Sequence, residues 1–198
     1  MLLDFVDPLT LNTFLYDFGV VPLELTQQFS VYEVLTLFTS IFLHGGFMHI
    51  LGNMLYLWIF GNNVEDVMGR WQFVLFYLFC GVLAGLAQVL AGPGVEIPSI
   101  GASGAIAGVL GAYVILYPRA RVATLVFLGF FARVVYLPAL LVLVFWFLLQ
   151  LLNGVLAVAT FQSSGVAWFA HIGGFVAGLA LVWLFAPRRK RPWTMARW

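Results

Sequence analysis

At 198 residues the chain is the size of one domain and too short for three. Hydrophobic residues make up 63% and charged residues 9%, against about 45–50% and about 25% in soluble globular proteins; so few charges cannot cover a water-facing surface, and the chain belongs in lipid. Nine basic and eight acidic residues, net +1, exclude a phosphate-tracking face for nucleic acid, and the single cysteine, Cys80, excludes an internal disulfide and a cysteine metal site.

Met1–Val20 lacks a basic leader and is broken by Asp4, Asp7, Pro8 and Asp17, so it is not read as a signal peptide. Residues 9–21 carry Leu9, Leu11, Phe14, Leu15 and Phe18, which suit an interfacial helix. Four long stretches then carry no Asp, Glu, Lys or Arg: Val34–Val64, Trp71–Val95, Ile97–Pro118 and Val134–Pro187. A bilayer core of about 30 Å takes about 20 helical residues. The first three stretches fit one span each. The fourth is long enough for two and breaks at Thr160–Gly165. Five transmembrane helices are predicted, at 42–61, 72–91, 102–118, 134–153 and 167–186. They are helices because lipid offers no partner to open backbone groups. The expected fold is an all-α polytopic bundle forming one domain, 1–198. Residues 1–46 are an outer-face segment and loop, 42–186 the membrane core and 187–198 a basic tail.

Threaded alternately, these helices put all nine basic residues on one side: Arg70, Arg119, Arg121, Arg133, Arg188, Arg189, Lys190, Arg191 and Arg197. That side is the cytoplasm or its equivalent. Asp4, Asp7, Asp17, Glu24 and Glu33 fall outside. The chain then starts on the outer side. Either a short tail is translocated with the first span, or a further helix precedes this sequence.

Polar groups inside spans need a reason. His49 and Asn53 lie at i and i+4 on the first span, one helix face. Ser103 starts the third and His171 lies one turn into the fifth. All four fall at similar depth in the outer half of the bilayer. Taken singly each has a plain explanation: a serine bonds its own i−4 carbonyl, a histidine packs, a histidine–asparagine pair glues two helices. Their coincidence at one level favours chemistry. Small-residue stripes begin beside two of them, Gly104 and Gly108 after Ser103, Gly174 and Gly178 after His171. Such stripes let helix backbones approach closely, bringing the Ser103 hydroxyl within reach of the His171 ring. An adjacent base is what makes a serine nucleophilic at neutral pH. No H-E-x-x-H motif or carboxylate stands at this level, so no metal or other cofactor is implied.

On these residues the sequence resembles the rhomboid family of intramembrane serine proteases. The matches are His49-x-x-x-Asn53, Gly101-Ala102-Ser103-Gly104, and Ala170-His171 with Gly174 and Gly178. Phe60-Gly61 and Val64-Glu65-Asp66 add to them. The resemblance covers roughly residues 34–186. It implies a Ser–His dyad with Ser103 as nucleophile and His171 as general base. It also implies an oxyanion and substrate-binding site of His49, Asn53, Gly101, Ala102 and the Ser103 N–H. It implies a six-helix core whose first helix is absent or reduced here. A loop over residues 23–46 and a gating helix over 134–153 with Phe145, Trp146 and Phe147 would flank the site. The connector Thr160–Gly165 would cap it. The expected partners are single-span membrane proteins whose helices unwind near the outer leaflet. The expected setting is a prokaryotic cell membrane, C-terminus cytoplasmic, active site toward the outer face. Some relatives carry an aromatic four residues after the serine, packed on the histidine. Ala107 stands there in this chain, so another group must orient His171. Two competing readings are a catalytically silent rhomboid-like protein that binds membrane clients, and a small transporter. The first would lack the serine or the histidine. The second would continue its polar residues through the inner half of the spans, where this chain is apolar.

Overall fold

The uncharged stretches fold mainly as helices, the one local structure that satisfies its own backbone groups in lipid. The computed structural model describes residues 7–129, 131–160 and 166–186. The basic tail at 188–191 and all but Thr160 of the predicted 160–165 break lie outside the described residues. In chain order the elements are α1 (Pro8–Phe18), α2 (Pro22–Gln27), α3 (Val31–Thr39), a 3-10 turn (Ser40–Phe42), α4 (Phe47–Tyr56), a π-helical turn (Leu57–Gly61), α5 (Asn62–Met68), α6 (Arg70–Ala91), α7 (Ser103–Leu116), β1 (Arg121–Leu128), β2 (Phe131–Pro138), α8 (Ala139–Thr160) and α9 (Trp168–Phe185).

Helices stand at all five predicted places. By length and composition α6, α8 and α9 are able to cross a membrane. The predicted first span is instead part of a bent pair: Val31–Phe42 and Phe47–Met68 meet at 80°, and together they make a fourth candidate. The bend falls at His44-Gly45-Gly46, where two glycines interrupt an otherwise helical run. α7 has 14 residues, about 21 Å at 1.5 Å per residue, shorter than a bilayer core.

The predicted helix at 134–153 starts and ends later, at Ala139 and Thr160. Residues before it form a hairpin, with Val122 opposite Leu137, Thr124 opposite Val135 and Val126 opposite Arg133. The reason is local. Val, Thr, Phe and Tyr make up half of each strand and favour extended backbone. Gly129, at φ +63°, supplies the left-handed residue at the turn. Pro138 cannot continue the ladder as a donor, and helix α8 follows at once.

α7 is the centre of the molecule. Every residue from Gly104 to Tyr113 is buried, the pattern of a helix surrounded on all sides. It packs between α6 and α9, with Phe76 and Cys80 of α6, Ile106, Val109, Leu110 and Tyr113 of α7, Leu143 of α8, and Phe175 and Val182 of α9 in one core. A smaller core of Val20, Leu25, Leu37 and Val89 joins the N-terminal helices to α6. Leu141, Phe145, Leu148, Leu152 and Val155 of α8 form an exposed apolar face, at i, i+4, i+7, i+11 and i+14, as suits a lipid-facing helix.

Backbone contact between α7 and α9 depends on the glycines. A Cβ on Gly174 would collide with the Gly104 carbonyl, and one on Gly178 with the Gly108 carbonyl. These are backbone atoms and cannot rotate away. Gly178→Ala is therefore expected to destabilise the fold by about 3 kcal/mol, the upper end of overpacking costs. Denaturant unfolding in detergent reads this against Gly94→Ala, where the added methyl meets nothing within 4 Å; equal stability of the two variants would contradict the close approach.

Candidate active site

Ser103 is the first residue of α7. The loop before it is tied down twice. Val20 and Ser99 exchange backbone hydrogen bonds (3.0 and 2.8 Å), and the Gly101 N–H donates to the Ser40 carbonyl at 2.9 Å. Gly101 takes φ +121°, open to glycine and strained for other residues. No side chain caps the N-terminus of α7, so its first-turn N–H groups and the positive end of the helix dipole stay beside the Ser103 hydroxyl.

His171 enters from α9. Its Nε2 lies 2.8 Å from Ser103 Oγ. Its Nδ1 lies 2.8 Å from Gln150 Oε1, on α8. Trp146 lies against the ring at a centroid distance of 5.8 Å, and Trp168 meets it edge-on at 6.2 Å. Ala107, fully buried, leaves the aromatic support to these two. The first turn of α9 is itself held by α6, where Gln88 Oε1 accepts from the Ala170 N–H at 3.2 Å.

His49 and Asn53 come from α4. The His49 Nδ1 accepts from the Gly45 N–H at 3.3 Å, which leaves the proton on Nε2 as a donor. A Cβ on Gly101 would stand 2.7 Å from that Nε2, so the imidazole packs on the bare backbone two residues before Ser103. Asn53 is 8% exposed, and its Nδ2 is buried without a hydrogen-bond partner among the described residues. Buried donors in folded proteins are almost always paired, and this one belongs to a residue that lines the same cavity as the serine–histidine pair. The π-helical turn that follows Asn53 on the same helix is of a kind frequent at functional sites.

His49, Asn53, Ser103 and His171 share one cavity of about 390 Å³, floored by Ile106, Ala107 and Leu110 and walled by Trp146. Gly101 lines a smaller adjoining space of about 30 Å³ with Ser103. Ala102 is buried in the core and lines neither space; its carbonyl accepts from Ile106. Gly101→Ala is expected to lower stability by about 1–3 kcal/mol through its φ. It should also slow fluorophosphonate labelling of Ser103, because the methyl displaces His49. Labelling as fast as in Gly94→Ala would remove His49 from the site. Of the predicted gating residues, Trp146 faces His171, Phe147 stacks on Phe175 at 4.6 Å, and Phe145 is 64% exposed.

Two polar residues inside spans, Gln150 and Gln88, were missed by the sequence reading. The signal was present. An amide within an uncharged stretch demands a partner as much as a histidine does.

A hydroxyl on an imidazole, facing a cavity among apolar helices, marks a helical membrane protein with a serine–histidine pair. The chain belongs to the rhomboid family: residues 31–188 match the model of the Rhomboid domain. It is 34% identical to RHOMBOID-like protein 1 of Arabidopsis thaliana over 84% of this chain and 38% of that one. It is 30% identical to Rhomboid protein 1, mitochondrial, of Saccharomyces cerevisiae over 88% of this chain and 50% of the other. It is 36% identical to Rhomboid protease GluP of Bacillus subtilis over 72% of this chain and 24% of that protein. The chain thus spans a quarter to a half of the length of these relatives.

Proposed function

We propose that the chain is an intramembrane serine endopeptidase acting on single-span membrane proteins. The observation that carries this reading is the 2.8 Å contact between Ser103 Oγ and His171 Nε2, on two helices held together by glycines. Ser103 Oγ attacks the scissile carbonyl carbon as its proton passes to His171 Nε2, and the carbonyl π pair moves onto the oxygen. The oxyanion is held by the Ser103 N–H, Asn53 Nδ2 and His49 Nε2. Collapse breaks the C–N bond, and His171 returns its proton to the leaving amine. Water, deprotonated by His171, then hydrolyses the acyl-enzyme and frees the serine. A neutral dyad with neutral donors suits a site among apolar helices, where a buried carboxylate is expensive.

The cut falls near the outer leaflet in this reading. A helix of about 21 Å ends short of one face of a 30 Å core, and Ser103 is at the N-terminal end of α7. With the basic residues cytoplasmic, that end points outward. A substrate helix must unwind there before its carbonyls are free to be attacked. The test is cleavage of a single-span substrate co-reconstituted in liposomes, with fluorophosphonate labelling of the same preparation. Cleavage with labelled Ser103 supports the protease. Neither cleavage nor labelling overturns it in favour of a silent client-binding member of the family.

A further inference from the structure

Gln150 is 6% exposed and lies in the middle of α8, whose other residues are almost all apolar. Both ends of its amide are engaged. Nε2 donates to the Trp146 carbonyl at 3.2 Å, and Oε1 is 2.8 Å from His171 Nδ1. The first bond fixes the second. A carbonyl accepts only, so the NH2 must face Trp146 and the amide oxygen must face the ring. An oxygen there accepts only, so Nδ1 must carry the imidazole proton. The other ring nitrogen, facing Ser103, is then left with its lone pair.

We propose that Gln150 is a positioning residue for His171, holding it in the Nδ1–H tautomer and ring orientation that Ser103 requires. The inference rests on the dyad reading and deepens it. In the serine–histidine–aspartate triad a carboxylate holds the tautomer and also stabilises the imidazolium; with the wrong tautomer such an enzyme loses about 10⁴ in kcat. A neutral amide does the first task without a buried charge. It also explains how the chain manages with Ala107. Orientation comes from the Gln150 hydrogen bond together with Trp146 and Trp168 against the ring.

The experiment uses the full chain in detergent with ¹⁵N-labelled histidine. There are three histidines, so His171 is assigned by substituting His44 and His49. The expected result is a protonated Nδ1 and a bare Nε2 on His171. Gln150→Met keeps the volume and removes the acceptor. It should move the proton wholly or partly to Nε2 and lower kcat with KM unchanged. Outer partners that fix a histidine are worth about 10–100-fold where measured at metal sites, and the same size is expected here. Gln150→Glu still accepts from Nδ1–H and should retain the tautomer. The proposal is overturned if His171 in the unmodified chain carries its proton on Nε2. It is overturned equally if Gln150→Met keeps both the Nδ1–H form and kcat. Should Gln150→Met not fold, the tautomer of the unmodified chain decides alone. If that chain shows the Nδ1–H form and cleaves nothing, the positioning contact stands and the protease reading fails.

Discussion

Ser103→Ala is expected to abolish cleavage and fluorophosphonate labelling together, and His171→Ala to abolish labelling although its serine is intact. Among the described residues the base hydrogen-bonded to the hydroxyl is His171, with Nε2 at 2.8 Å. Without it the hydroxyl is a poor nucleophile at neutral pH. In a serine–histidine unit, loss of either member lowers kcat by about 10⁶-fold, and loss of both is no worse. The double variant Ser103→Ala/His171→Ala should therefore match either single one. Stability is a separate matter. Ser103→Ala removes one hydrogen bond and His171→Ala two, those to Ser103 and Gln150, each worth about 1 kcal/mol, so the variants should remain folded. Cleavage that survives Ser103→Ala would show that the hydrolysis belongs to another protein in the preparation or to another residue of the chain.

The second large effect is at Asn53. Its Nδ2 is buried in the cavity wall with no partner among the described residues. An unpaired buried donor destabilises a fold by about 1–3 kcal/mol. The same donor, bonding an oxyanion, lowers the barrier by about 2.7–4 kcal/mol, or about 10²–10³ in kcat. The two effects oppose each other in one side chain. Asn53→Leu is thus expected to lower kcat by about 10²–10³ while leaving thermal stability equal or higher. A residue that merely joins two helices would move both downward. Parallel losses of kcat and Tm in Asn53→Leu would assign it to packing and leave the oxyanion to His49 and the Ser103 N–H.

The polar residues differ in how far the chain order reveals them. Ser103 and His171 stand one turn or less from the start of helices that follow polar, glycine-containing breaks, so counting at 1.5 Å per residue places them at one depth. His49 and Asn53 are four apart and share a face by helical geometry alone. Gln150 signals by its amide that it needs a partner, but not which one. It lies in the middle of a helix whose other residues are nearly all apolar, and rotation about the helix axis decides whether its amide meets a partner or lipid. That rotation is set by packing, with Trp146 and Phe147 of α8 lying against Phe175 of α9. The hairpin at 121–138 is a similar case. Val, Thr, Phe and Tyr in both halves and Gly129 between them favour strand and turn locally, but cross-strand pairs such as Thr124 with Val135 form only once the halves lie side by side.

From its sequence by itself the chain was determined to be a helical membrane protein. Charges are too few for water, and their absence over about 20 residues at a time leaves the backbone no partner but itself. The order of the helices and the small residues that let two of them touch follow from the same one-dimensional pattern. Only the tertiary structure decided what each polar atom faces. It bent the first span by 80° at His44-Gly45-Gly46. It brought α8 beside His171, left Asn53 Nδ2 without a partner among the described residues, and set a glutamine where the sequence had pointed to no particular residue. Depth along a helix is fixed by residue count, whereas azimuth around it is fixed by the neighbours it meets.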